Sequence, residues 1–204
     1  MSNGFSWHQR SGTAVATFSA LEAGLLRSLA RQIIELLHNE QAMNLSESDP
    51  LEALLDFSGP TTAPTDPVLA RFFPTAYPDD EEAAGDFRRF TEGTLRDGKA
   101  QAAASVIDTL EEAGLPEQEV EGIYIDVELD EATALTWLKA FTDIRLAIGT
   151  RLGVADGDEE FWAALPEDDP RAHVHDIYSY LAFLQETLVT ALSVRVMGSA
   201  DPEN

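Results

Sequence analysis

Cysteine is absent from this 204-residue chain, and lysine nearly so, with Lys99 and Lys139 the only two among 13 basic residues. Without thiols there is no disulfide framework, no thiolate zinc site, no cysteine nucleophile and no thiol redox switch. Positive charge is scarce altogether: 13 Lys and Arg face 37 Asp and Glu, for a formal charge of −24. A field of that sign repels phosphate backbones and anionic lipid, so neither direct sequence-specific DNA binding nor a membrane surface is expected. No uninterrupted apolar run approaches the ~18 residues of a membrane span, and the N-terminus lacks the charged-then-apolar order of a signal peptide. The expectation is a cytoplasmic protein. Also missing are the Gly-x-Ser-x-Gly elbow of hydrolases and the glycine-rich patterns that cradle phosphates. What is present is 44% hydrophobic residues, near the globular norm of about 45–50%, on a length that one core can fill. A single domain over residues 1–204 follows.

Local patterns place the elements. Phe5 to Arg10 and Thr13 to Phe18 flank Ser11-Gly12, which reads as a hairpin whose glycine supplies a positive φ. A two-residue turn would set Phe5 opposite Phe18 and Trp7 opposite Ala16. Ile123, Ile125, Val127 and Leu129 alternate with polar residues, the signature of a half-buried strand that can complete a three-stranded antiparallel sheet over 122–130. Ser19-Ala-Leu-Glu22 is a capping box ahead of the stripe Leu25, Leu26, Leu29, Ile33, Leu36 and Leu37. Asp49-Pro50 and Asp66-Pro67 read as two further helix starts, each with proline at the first helical position. The segment 58–67 carries three prolines and is expected to be a mobile surface loop. Asp79 to Ala113 reads as one long helix, or two broken near Gly98, with Phe87, Phe90, Thr94 and Leu95 inward. Glu131 to Leu152 and Asp169 to about Val194 are the last long helices, followed by a flexible tail over 197–204. The fold class is mainly α within α+β: a helical bundle carrying a small three-stranded antiparallel sheet.

Few constellations suggest chemistry. His173 and His175 could share an ion on a strand, but two residues apart on a helix they diverge by about 200°, so no metal or other cofactor is expected. With 37 acids, carboxylate pairs arise by chance and none looks sheltered. Arg145 sits in an apolar stripe with Leu138, Phe141, Ile148 and Leu152 as its helical neighbours, and must find an acceptor when that helix packs. Glu22 is similarly placed, so the two could form a buried pair; equally, the capping box could occupy Glu22 while Arg145 reaches a loop carbonyl. Trp137 and Asp143 are assigned to the scaffold with them. Arg88, Arg89, Arg96 and Lys99 share one helical sector with Glu92 inside it, which suggests ion pairing or a weak basic face for a partner. Phe161-Trp162, between acidic runs, either covers the core or anchors a partner.

Trp137-Leu-Lys-Ala-Phe-Thr-Asp143-Ile-Arg145-Leu-Ala-Ile-Gly149-Thr-Arg151-Leu-Gly153 resembles the signature segment of an actinobacterial family catalogued as a domain of unknown function, with members described as an oxidative-stress transcriptional regulator. The likeness extends to Asp66 through Tyr77, to Phe87-Arg88-Arg89-Phe90-Thr-Glu92, and to the hairpin with its capped leucine-rich helix. It implies a cytoplasmic regulator with no catalytic residue to carry over, acting through protein partners that include transcription machinery. Any cysteine-based redox sensing in such a family is closed to this chain, whose sulfur is limited to Met1, Met43 and Met197. The competing reading is an enzyme or small-molecule binder that uses carboxylates and an arginine in a cleft between helices.

Overall fold

Alternating side chains at the N-terminus build a ribbon whose apolar face needs a cover, and everything else packs behind that face. The computed structural model describes residues 3–47, 59–117, 120, 122–166 and 168–199. Strand β1 (Ser6–His8) and strand β2 (Thr13–Ser19) form the hairpin. Their register pairs Trp7 with Ala14 and His8 with Thr13, two residues away from the pairing that a two-residue turn implies. Four residues, 9–12, make the connection; Gly12 closes it at φ 68°, donating its N–H to the His8 carbonyl at 2.9 Å. Because side chains alternate with period two, a shift of two leaves every residue on its expected face. Phe5, Ala14, Ala16 and Phe18 are buried, and the Phe5 and Phe18 rings still meet edge to face at 5.8 Å.

Strand β3 (Tyr124–Leu129) joins β2 antiparallel, with Phe18 opposite Ile125 and Ala16 opposite Val127, giving the order β1-β2-β3. Helix α1 (Ala20–Glu47) leaves the sheet through the expected capping box: the Ser19 N–H donates to Glu22 Oε2 at 2.8 Å and the Glu22 N–H to Ser19 Oγ at 3.3 Å. Helix α2 (Pro67–Phe72) is capped by Asp66, which accepts from the Val68 and Leu69 amides. The other expected start, Asp49-Pro50, lies outside the described residues, as does 200–204 of the expected tail. Helix α3 (Glu81–Glu112) runs unbroken through Gly98. Helix α4 (Glu131–Leu152) begins at the Asp130 cap and buries Trp137, Phe141 and Ile144. A short helix α5 (Glu159–Ala163) leads to α6 (Pro170–Ser199), whose Leu181, Leu184, Leu188 and Ala191 are buried. Helix α4 lies between α3 and α6, α1 packs on α3, and β1 rests on α6. By length and composition alone, α6 over Pro170–Arg195 would also suffice to cross a membrane. Counting uninterrupted apolar residues misses it, because Asp176 and Glu186 interrupt the run.

One expectation fails instructively. Phe87, Phe90, Thr94 and Leu95 face outward on α3, with Phe90 74% exposed. The face turned inward carries Arg88, Glu92 and Arg96, all nearly inaccessible. Glu92 accepts from Arg88 at 2.6 Å through one oxygen and from Arg96 at 2.6 and 2.9 Å through the other. Arg88 also donates to the Phe73 carbonyl, and Arg96 donates to the Leu37 carbonyl at 3.1 Å while lying over the Phe73 ring. One turn on, Lys99 pairs with the buried Asp143 of α4 at 2.6 Å. Burial pushes the Asp143 carboxyl above its ordinary pKa, and the Lys99 ammonium offsets only part of that. Charges satisfied this fully can face a core, and amphipathicity alone then misassigns the helix face. Past Lys99 the inward side turns apolar, with Ala102, Ala103, Val106 and Leu110.

Glu92→Ala removes the carboxylate that Arg88 and Arg96 share, and the expected loss is about 3–5 kcal/mol in urea denaturation. Phe90→Ala, on the opposite side of the same turn, is expected to change stability by no more than about 0.5 kcal/mol. A loss at Glu92 as small as that at Phe90 would mean that the two guanidiniums reach water.

Candidate functional site

The structure does not bring Glu22 and Arg145 together. Glu22 is engaged in its capping box, where Oε2 also accepts from Ser19 Oγ at 2.8 Å. Arg145 turns toward α6: Nη1 donates to Gln185 Oε1 at 2.7 Å and Nη2 to the Tyr178 hydroxyl at 3.4 Å, with the guanidinium 4.9 Å from the Tyr178 ring centre. Gln185 in turn donates to Thr142 Oγ1 at 2.8 Å, which fixes the amide with its oxygen toward the arginine. Arg145 thus rests on neutral acceptors from a helix, neither on a carboxylate nor on a loop carbonyl.

The proposed basic face over residues 88–99 is not a surface. Arg88 and Arg96 are internal for the reason given above. Lys99 is tied to Asp143, and Arg89 pairs with Asp86 at 2.9 Å while stacking on Phe90. The i,i+4 spacing of Arg88, Glu92 and Arg96 was the visible signal of a self-contained charge ladder, and it outweighs the sector reading.

The Phe161-Trp162 pair divides into one buried ring and one half-exposed ring. The Asp158 side chain accepts from the Ala155 amide at 2.8 Å and braces the start of α5; that amide holds its carboxyl below the ordinary range. Trp162 is buried, with its indole stacked on His175 of α6, ring centres 4.8 Å apart and planes 1° from parallel. Phe161 packs edge-on against Trp162 at 5.0 Å but stays half exposed, with the Arg171 guanidinium 5.7 Å from its ring. Beside them opens a cavity of about 840 Å³ whose lining includes Asp156, Asp158, Glu159, Asp176, His173 and His175. Four carboxylates on one rim suit a cationic group and repel an anion. The histidines diverge on α6, and among the described residues no group of three or more His, Asp or Glu converges as a metal would require. Sequence reasoning had no access to the Trp162–His175 stack, because it joins two elements by tertiary packing across a turn. The carboxylates here and the Arg145 guanidinium line different recesses, so Arg145 does not share a cleft with these acids.

Helix α6 starts at an electrostatic latch. Asp169 accepts from the Arg171 amide and from its guanidinium, at 2.9 Å and 2.7 Å. The Arg171 side chain is the main cause that lowers the Asp169 carboxyl to about 2.

A family model described as "Domain of unknown function (DUF2017)" matches residues 2–192. Among curated proteins, the chain is 32% identical over 185 residues to "Oxidative stress regulator AosR" of Mycobacterium tuberculosis (strain ATCC 25618 / H37Rv), covering 84% of this chain and 78% of the relative. The protein of the same name from Mycobacterium bovis matches to the same extent. A Mycobacterium leprae relative is 33% identical over 185 residues, with the same coverage. No solved structure matches.

Truncation separates the two aromatic neighbours. Trp162→Ala is expected to cost about 3–5 kcal/mol as a large buried side chain, and Phe161→Ala about 1 kcal/mol or less; equal losses in thermal or urea melts would put both in the core. The latch has a pH signature. A carboxyl with a lowered folded pKa adds stability that is present above its ordinary value of 3.8 and is lost as pH falls toward about 2. Urea midpoints followed through that window should fall less steeply for Asp169→Asn than for the parent chain.

Proposed function

The chain belongs to the DUF2017 family, and on that footing we propose that it is a regulatory protein of the stress response that works by binding a protein partner, without catalysis of its own. The names of the mycobacterial relatives support the regulatory part. The observation that supports the partner part is Phe161, an exposed aromatic packed on a Trp162–His175 base, with a cavity lined by four carboxylates opening beside Trp162. An aromatic anchor on a rigid base loses little freedom on binding, and the acidic rim selects a partner with a basic border around an apolar pocket. Such a partner can include transcription machinery, which would then supply the DNA contacts. Internal pairing of Arg88 and Arg96 removes cations from the surface, which supports the expectation of no direct sequence-specific DNA binding. The charge and composition fit a cytoplasmic setting. With no cysteine, an oxidative signal would have to arrive through the partner or through methionine.

Affinity purification from the native host under peroxide stress tests this reading, with the parent chain and Phe161→Glu as baits and mass spectrometry as readout. The expected result is one protein enriched by the parent and at least tenfold less by the variant, the variant's circular dichroism being unchanged. Identical captures would overturn the assignment of the surface. Fluorescence anisotropy with promoter and scrambled duplexes at ~150 mM salt covers the DNA question. Sub-micromolar binding to one sequence would overturn the partner-mediated reading.

A further inference from the structure

We propose a second site, for a small organic oxyanion, in the cleft where α2 and the C-terminal half of α4 face α6. The cleft holds about 420 Å³, within the range of about 300–1,000 Å³ common to small-molecule sites. Its polar lining is Arg71, Arg145, Thr142, Thr150, Tyr178 and Gln185, and it includes no carboxylate. In a chain with 37 acids and 13 bases, that composition is the anomaly that carries the argument. Among the described residues, Arg31, Arg88, Arg89, Arg96, Lys99, Arg151, Arg171 and Arg195 each pair with an acid. Arg10, Arg27, Arg71, Lys139 and Arg145 show no such pair, and of these five Arg71 and Arg145 line the same cleft.

The charge on Arg145 is held in place and left uncompensated. Gln185, itself oriented by Thr142, and the Tyr178 hydroxyl accept its Nη protons, while its Nε–H has no acceptor. Neutral acceptors fix the guanidinium plane without cancelling its field, the condition under which a planar fork recognises a carboxylate or phosphate. Tyr178 accepts from Arg145 through oxygen and keeps its own proton to donate to a ligand. Leu146 and Val154 give the cleft an apolar wall, suited to the organic body that carries the anion. The acidic cavity beside α5 would exclude the same ligand, so the two recesses sort their occupants by sign.

This site does not depend on the partner surface at Phe161, and its test is separate. The full chain, labelled with ¹⁵N, is titrated at constant ionic strength with benzoate, with inorganic phosphate and with neutral benzamide. The expected result is a saturable shift of the Gly149, Gly153 and Val154 amides with benzoate or phosphate and none with benzamide. The anion that saturates at lower concentration distinguishes a carboxylate ligand from a phosphate one. Arg71→Glu, at an exposed position with no carboxylate partner, should fold normally and weaken that binding at least tenfold; Tyr178→Phe should weaken it less. No saturable shift at those amides with either anion, or unchanged binding in Arg71→Glu, would overturn the proposal.

Discussion

Glu92 is the carboxylate that ties α3 to its neighbours through two arginines. Its two oxygens hold Arg88 and Arg96 on the same helix, and those two arginines reach the Phe73 carbonyl after α2 and the Leu37 carbonyl in α1. The ladder is continued by Lys99, which holds α4 through Asp143. One helix face thus clamps three others by charge-assisted hydrogen bonds, each roughly twice as strong as a neutral one. Desolvating such charges is costly, so the arrangement is tolerated only because both guanidiniums and the carboxylate find acceptors and donors in fixed places. Geometry is the gain: a hydrogen-bonded ladder admits one rotation of α3, where a leucine stripe would admit several.

That ladder also marks where the sequence was legible and where it was not. Local rules carried the capping box at Ser19, the Asp66-Pro67 start, the long helices and the third strand, because each depends on residues within one turn or one pleat. Hairpin register needed the turn length, and Gln9 to Gly12 gave no local sign of forming a four-residue loop. The inward face of α3 was misread because hydrophobic patterning presumes that charge points outward. Arg88, Glu92 and Arg96 reverse that rule, with Phe87 and Phe90 left at the surface. The candidate sites were less legible still. Phe161 and Trp162 were singled out together, but only tertiary contact with His175 could tell which ring is buried and which exposed. The cleft at Arg145 draws Arg71 from α2 and Tyr178 from α6, far apart along the chain, and no periodicity links them.

The sheet and the bundle divide the labour. The three strands present Phe18, Val127 and Leu129 to the core and polar residues to water, so they cap the helices without offering a hydrophobic face of their own. Two of the recesses fall at the α4–α6 edge. Tyr178 lines both recesses there, so one aromatic ring borders an acidic cavity on one side and a cationic cleft on the other.

The charge left at the surface has a colloidal consequence. The buried Arg88 and Arg96 are balanced by the buried Glu92 and Asp143, so the solvent-facing charge keeps the formal −24 of the sequence. Copies of the chain therefore repel one another over distances of about 8 Å at physiological ionic strength and further in dilute buffer. That repulsion opposes any approach through Phe90, Phe161 and Phe183, which lie partly bare. Salt, by shortening the range of that repulsion, is the variable that lets these aromatic surfaces meet.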